Sequence, residues 1–157
     1  MKIVAVGKLK EKALVALIDE YVKRLRPYEK VEIVEVADVM APQSNSEAEN
    51  EQVKKVEGER VLAKIKENEY VILLDLWGES ISSEQLAAKI EKIYTYNTSN
   101  LTFVIGGSLG LSPELVKRAD FRWKLSDCTF THQMVRVLVL EQFYRAVMIN
   151  RNMPYHK

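Results

Sequence analysis

Cysteine is nearly absent from this sequence, and so are long apolar runs. Cys128 is the only cysteine among 157 residues, so no disulfide can form within the chain and a zinc site built from cysteines is excluded. The longest apolar segments, such as 70–74 and 137–140, fall far short of the roughly 18 residues that a membrane span needs. No signal-like segment precedes the first strand-like run. We therefore expect a cytoplasmic protein with no metal site and no membrane partner.

An excess of one charge is also missing, because 23 Lys and Arg stand against 22 Asp and Glu. A net charge of +1 argues against a protein that grips free nucleic acid by charge alone. The charges are nevertheless uneven: the first thirty residues are rich in Lys and Arg, the segment 32–60 is rich in acids, and no acid follows Glu141. A polyanion would therefore meet the two terminal regions and not the middle of the chain.

Strand-like runs alternate with helical spacing along the whole chain. Strands are predicted at 2–6, 31–36, 70–75, 101–105 and 121–125, and helices at 11–25, 46–66, 82–96, from 112 onward, and at 132–150. The run 70–75 is almost wholly apolar, as in a strand covered on both faces, whereas 31–36 alternates like an edge strand. The segment 41–45 interrupts the pattern. The alternation predicts one α/β domain over 1–157, a three-layer, mostly parallel sheet of about five or six strands with helices on both faces.

The glycine-rich stretch GGSLG at 106–110 fits the G-x-S-x-G pattern, with Ser108 as a serine nucleophile. Candidate partners of a hydrolase follow downstream: Asp120 or Asp127, and then His132. A nucleophile elbow, however, needs its helix to start directly after the serine. Here Ser112, followed by Pro113, marks the helix start four residues later. The stretch is therefore interpreted as a loop, and a serine hydrolase is kept as an alternative.

Three predicted strand ends fall in the second half of the chain, at 74–78, 106–110 and 126–130. The crevice beyond the carboxyl ends of parallel strands is where open α/β sheets bind small molecules, and glycines there let a ligand approach the backbone. One ligand that touches all three ends is the hypothesis, and simple tight turns are the alternative.

The last predicted helix is apolar around nearly its whole circumference from 134 to 149. Such a helix is buried on both sides, so we expect one side on the sheet and the other in a two-fold subunit interface. Arg145 lies i,i+4 to Glu141 and can either pair with it or serve a ligand. The tail at 154–157 offers an aromatic ring, an imidazole and a cation, a set able to stack a base and handle a proton, although tails usually fray.

Several segments together resemble the RlmH family, the small SPOUT-class methyltransferases of large-subunit ribosomal RNA. They are FVIGGSLGLSPEL at 103–115, HQMVRVLVLEQFYRAVMI at 132–149, PYHK at 154–157 and the N-terminal KIVAVGKLKEK. The resemblance covers nearly the whole chain. It implies S-adenosylmethionine as cofactor, methylation of N3 of a pseudouridine in a 23S rRNA hairpin on the assembled ribosome, a homodimer through the C-terminal helix, and a C-terminal trefoil knot.

The same resemblance assigns roles to particular residues. It implies cofactor contacts, many of them through the backbone, at Leu74, Gly106, Leu125, Ser126, Asp127, Cys128, Thr129 and Phe130. It implies substrate and catalytic roles for Arg145, Tyr155 and His156, and a substrate contact for Lys157. By residue type, His156 is the expected acceptor of the N3 proton, Arg145 stabilises the imide anion or holds a phosphate, and Tyr155 stacks on the base. A non-catalytic ribosome-binding protein is the remaining alternative.

Overall fold

A computed structural model describes residues 1–44 and 46–157, in which strands and helices alternate as predicted. The elements are β1 (Lys2–Val6), α1 (Lys12–Leu25), β2 (Glu32–Val36), α2 (Glu47–Leu62), β3 (Tyr70–Ser80), α3 (Ser83–Tyr96), β4 (Leu101–Ile105), α4 (Pro113–Arg118), β5 (Phe121–Lys124) and α5 (His132–Asn150). Of the predicted interruption at 41–45, Asn45 lies outside the described residues. Within the described ranges no helix combines the length and the apolar content that crossing a membrane requires.

The five strands form one sheet in the order β2-β1-β4-β3-β5, and every neighbouring pair is parallel. The prediction of a parallel α/β sheet is therefore confirmed, and β2 is an edge strand as its alternating pattern predicted. β4 lies in the centre and all five of its residues are buried. Because the strands are parallel, all their carboxyl ends meet at one edge of the sheet, where a ligand site is expected.

Helices cover both faces of the sheet and produce the three predicted layers. On one face, Ile3 of β1 and Phe103 of β4 belong to a core that includes side chains of α1, α3 and α5. Phe143 of α5 meets Phe103 edge-on there, with ring centroids 6.0 Å apart. On the other face, Val104 packs in a second core with Leu115 of α4. Successive side chains along a strand point to opposite faces of the sheet, so the apolar residues of β1 and β4 contribute to both cores.

Two element boundaries differ from the sequence prediction by more than one residue. β3 was predicted to end at residue 75 but continues to Ser80, because after an irregularity between Leu74 and Glu79 the strand pairs again with β5. Gly78 permits this approach, since a Cβ at that position would lie 2.5 Å from the Arg122 carbonyl oxygen. α2 ends at Leu62 and not near residue 66, because the amides of Lys64 and Ile65 bond to carbonyls three residues back.

Candidate active site

A cavity of about 830 Å³ opens at the carboxyl ends of β3, β4 and β5. Its wall is formed mainly by the segments 74–77, 105–111, 125–126 and 128–133. The topology of the sheet thus brings together the three strand ends that the sequence singled out. The volume lies in the range of pockets that enclose nucleoside-sized ligands.

Seven of the eight residues predicted to contact the cofactor line this cavity: Leu74, Gly106, Leu125, Ser126, Cys128, Thr129 and Phe130. The eighth, Asp127, is not among the lining residues. Its side chain is 90% exposed and pairs with Lys124, and this hydrogen bond lowers the pKa of the Asp127 carboxyl. A backbone contact of Asp127 with the cofactor stays a prediction.

The stretch 106–110 is a closed loop, as the delayed helix start predicted. Gly107 and Gly110 bridge each other across it, and the Gly110 amide donates to the Gly107 carbonyl at 3.2 Å. Gly110 has a φ of +100°, a conformation that side-chain-bearing residues rarely adopt. α4 then begins behind Ser112, whose hydroxyl accepts from the Leu115 amide at 3.3 Å. The loop therefore presents its backbone to the cavity.

The residues of a serine-hydrolase triad are not assembled. Ser108 is exposed, and in the described parts of the chain no hydrogen bond joins it to His132 or to a carboxylate. The Asp120 carboxylate accepts instead from the Val71 amide at 2.7 Å and pairs with an arginine. Asp127 is held by its lysine partner. The geometry gives the hydrolase alternative no support.

A buried arginine ties the start of α5 to the ends of the first two strands. Arg136 is 1% exposed and donates to the carbonyls of Val6 and Gly7 at 3.0 and 2.7 Å. Its guanidinium also pairs with Glu35 at 2.6 Å. These partners could not be predicted, because carbonyl groups of a distant strand leave no signal in the sequence. Arg136 sits one turn after His132, which lines the cavity.

Arg145, Tyr155 and His156 gather with Glu141 in what we call the tail cluster. Arg145 pairs with Glu141 at 2.5 Å, and the Tyr155 hydroxyl donates to the same carboxylate at 3.1 Å. His156 Nδ1 lies 3.3 Å from Arg145 Nη1, and its Nε2 lies 2.9 Å from Glu84 Oε1. The structure therefore brings together the three residues predicted to act on the substrate.

The tail cluster is packed and charged. Burial, together with the Glu141 carboxylate, raises the pKa of Tyr155 to about 12. The Arg145 guanidinium lies 4.8 Å from the centre of the Tyr155 ring, and the Tyr144 ring meets Tyr155 edge-on at 4.8 Å between centroids. The tail is thus tied back onto α5 and does not fray. Lys157, the last residue, is exposed.

The cavity lies at the start of α5, and the tail cluster lies along the second half of the helix, from Glu141 onward. His132 stands at the first position of the helix and Arg145 thirteen residues later. At a rise of 1.5 Å per residue, that spacing corresponds to about 20 Å. None of the four residues in the tail cluster lines the cavity. A single chain therefore does not bring the two predicted halves of the active site together.

Apolar side chains stand exposed at the mouth of the cavity. Leu76, Trp77 and Phe130 line it and are 52%, 86% and 42% exposed. We call these three residues the apolar rim. Sequence reasoning selected Phe130 but not Leu76 or Trp77 as contacts, although the strand end that carries them was selected. Exposed apolar groups beside a cavity commonly mark a surface that another molecule covers.

Known proteins are similar to this chain over its whole length. A family model described as "Predicted SPOUT methyltransferase" matches residues 1–156. Three relatives carry the name "Ribosomal RNA large subunit methyltransferase H", in one case followed by the number 1. The protein from Ligilactobacillus salivarius is 54% identical over 157 residues, which cover 100% of this chain and 99% of the relative. The proteins from Clostridium perfringens and Carboxydothermus hydrogenoformans are each 52% identical over 155 residues, which cover 99% of this chain.

For these last two relatives the matched residues cover 98% of the relative. Both the match to the family model and the identities extend through the glycine loop, α5 and nearly all of the tail. The parallel sheet, the glycine loop and the cavity at the strand ends agree with this assignment. The chain belongs to the SPOUT methyltransferase family.

Proposed function

We propose that this protein transfers the methyl group of S-adenosylmethionine to N3 of a pseudouridine in 23S ribosomal RNA. The single observation that carries the proposal is the cavity where three strand ends and the glycine loop converge. The relatives' name gives the substrate class, a ribosomal RNA of the large subunit. The N3 position of pseudouridine follows from the family resemblance of the glycine loop, α5 and the tail.

The residues present fit S-adenosylmethionine. Leu74 and Leu125 offer apolar surfaces for an adenine ring, and Gly106 leaves backbone open to polar atoms of the ligand. When bound, the cofactor supplies a methyl group on a positively charged sulfur. The protein's part is to hold the base in line with that methyl group and to exclude water. The apolar rim at the mouth of the cavity would help to exclude water.

A homodimer completes the active site in this proposal. Because none of the four tail-cluster residues lines the cavity of its own chain, and Arg145 lies about 20 Å along α5 from His132, the cluster of one subunit serves the cavity of the other. α5 packs against α1 and α3 of its own chain, so part of its apolar circumference is already buried within the subunit. Met134 and Arg145 remain accessible on the outer side of the helix, which is the side available to a partner.

Mixed dimers test whether the site is shared. At a cofactor concentration near the wild-type dissociation constant, a pocket variant, Gly107→Ala, binds little cofactor and a tail variant, Arg145→Ala, does not react, so dimers of either variant alone are nearly inactive in this proposal. Random exchange of subunits places half of the chains in mixed dimers, each with one intact site, so about a quarter of the wild-type activity returns. If each chain used its own tail cluster, every site would carry a defect and no activity would return.

The ribosome is the substrate in this proposal, and the protein acts in the cytoplasm. A net charge of +1 provides little attraction for free RNA, so recognition depends on the shape of a ribosomal niche. We expect weak, salt-sensitive binding to the isolated hairpin and much faster methylation of ribosomal particles. Equal turnover of both substrates would contradict this part of the proposal. The trefoil knot implied by the resemblance stays a prediction.

Transfer of an isotopically labelled methyl group to 23S rRNA tests the activity itself. The wild-type protein is expected to label large subunits, whereas Arg145→Ala and His156→Ala abolish labelling and keep their affinity for S-adenosylhomocysteine. Loss of affinity in both variants would indicate damage to the fold instead. A non-catalytic ribosome-binding protein would associate with the particles without labelling them and without a thermal shift on adding the cofactor.

A further inference from the structure

We propose that His132, in the subunit that holds the cofactor, accepts the N3 proton of the target base. This inference rests on the proposed function and goes beyond it, because the residue type alone pointed to His156. The chain has only two histidines, and the structure gives them opposite surroundings. One lines the cavity, and the other is bound into the tail cluster.

His132 lies where a side chain could contact the target base of the RNA. It lines the same cavity as Gly106 and stands at the first position of α5, next to the end of β1. Its Nε2 lies 3.7 Å from the position that a Cβ on Gly7 would occupy. In 1–44 and 46–157, no hydrogen bond engages the imidazole ring. The ring nitrogen that carries no hydrogen is therefore free to accept a proton.

The charges around His132 keep the ring ready to act as a base. Burial lowers its pKa, and the Arg136 guanidinium one turn along α5 lowers it further. Asp38, which follows β2, acts in the opposite direction, and Glu35 of β2 partly neutralises Arg136. The packed strand β1 contributes Gly7, which has no charge. The imidazole is accordingly neutral at neutral pH, and the Asp38 carboxylate stabilises the imidazolium once it forms.

His156, by contrast, has both ring nitrogens engaged. Arginine can only donate hydrogen bonds, so Nδ1 of a neutral His156 is the acceptor from Arg145. Nε2 then carries the hydrogen and donates to Glu84. No acceptor on the ring is left for a proton from the substrate. In the structure His156 is therefore a positioning residue that orients Arg145 and the tail.

The proposed step moves one proton and one methyl group. The N3–H bond of the base breaks, its proton passes to the free nitrogen of His132, and its electron pair stays on N3. That pair forms the bond to the methyl carbon, while the bond from this carbon to sulfur breaks and leaves its pair on sulfur. The products are the neutral methylated base, a neutral thioether and a protonated His132, which releases its proton to solvent.

The two histidines provide matched variants, His132→Gln and His156→Gln. Single-turnover rates on large ribosomal subunits, measured with labelled S-adenosylmethionine over a series of pH values, separate their roles. For wild type, the rate is flat near neutrality and falls as the pH drops through the lowered pKa of His132. We expect His132→Gln to be slower by on the order of 10² to 10⁴ near neutral pH and to rise about tenfold per pH unit.

Three further readouts separate this role from a structural one. His132→Gln keeps the wild-type affinity for S-adenosylhomocysteine, and His132→Ala recovers activity when imidazole is added. His156→Gln raises the KM for the subunits and keeps the shape of the wild-type pH profile. A wild-type rate and profile in His132→Gln would overturn the inference, and so would the absence of rescue by imidazole. If the wild-type protein itself transfers no methyl group, the proposed function fails and the inference falls with it.

Discussion

Alanine substitutions in the glycine loop should impair cofactor binding to different degrees, because each glycine is required for a different reason. A Cβ on Gly107 would lie 2.6 Å from Glu57 Oε2 and 3.2 Å from a methyl carbon of Val6. A Cβ on Gly106 would clash with the flexible end of Leu111 at 2.6 Å, whereas the Gly110 carbonyl oxygen would lie at an ordinary contact distance of 3.4 Å. Gly110 has open space around it but a φ of +100°. The most sensitive position is therefore Gly107.

The expected magnitudes follow from what each neighbour can do. Glu57 is 5% exposed and held by the Val39 amide at 3.0 Å, so Gly107→Ala overpacks a site that cannot yield, which costs about 1–3 kcal/mol. If this cost falls on the bound loop conformation, the dissociation constant rises on the order of 10- to 100-fold. A rotamer change of Leu111 or a left-handed alanine at residue 110 costs about 1 kcal/mol, which is less than tenfold.

Isothermal titration with S-adenosylhomocysteine measures the three variants, and a double variant checks the cause. In a Glu57→Ala background the carboxylate is absent, so Gly107→Ala should lose at least half of its effect on affinity. Thermal unfolding of each variant shows whether the chain stays folded. Wild-type affinity in Gly107→Ala would refute the reasoning, as would a full effect of the substitution in the Glu57→Ala background.

Three further predictions concern the residues that support the cavity. Burial raises the pKa of Glu57, so the wild-type protein loses stability as the pH rises through that pKa. The melting temperature of Glu57→Gln relative to wild type should therefore increase between about pH 4 and about pH 8. A constant difference in melting temperature would contradict this. Gly58→Ala should lower the urea midpoint, because overpacking against buried Ser112 costs about 1–3 kcal/mol whereas helix propensity alone predicts a gain of about 1 kcal/mol, and a higher midpoint would refute the packing argument. Arg136→Met should destabilise the chain by about 3–5 kcal/mol in calorimetry, since it removes the guanidinium from two strand-end carbonyls and leaves Glu35 with only the Leu9 amide, and a loss below about 1 kcal/mol would show that these groups find other partners.

The fold was largely predictable because strong local signals agree with the tertiary structure. The apolar run 101–105 predicted a buried strand, and β4 is the central one. Ser112 predicted the start of a helix, and its hydroxyl accepts the capping hydrogen bond, as the Thr131 hydroxyl does at the predicted start of α5. What the sequence could not show is the second half of β3, because Glu79 and Ser80 pair with a strand more than forty residues away in the sequence. Their exposed side chains break the apolar pattern at the same point.

The candidate site was predictable in its parts but not in its arrangement. The glycines at 106–110 and the tail motif predicted the residues, but not that the tail cluster lies outside the cavity of its own chain, with Arg145 about 20 Å along α5 from His132. The proposed role of His132 could not be predicted either, because Gly7 and Asp38, which surround its ring, adjoin it only in the fold. The burial of Glu57 could not be predicted, since a carboxylate in a polar helix is expected to be solvated, whereas the fold packs this one against Gly107.

The position of the transferred methyl group tests the central claim most directly. Large ribosomal subunits whose 23S rRNA lacks the modification are incubated with the protein and labelled S-adenosylmethionine, and the rRNA is digested and mapped by mass spectrometry. The account predicts one methyl group per subunit, on N3 of a pseudouridine, and none with Arg145→Ala. Label on another atom or another base, or no label on particles to which the protein binds, would contradict it.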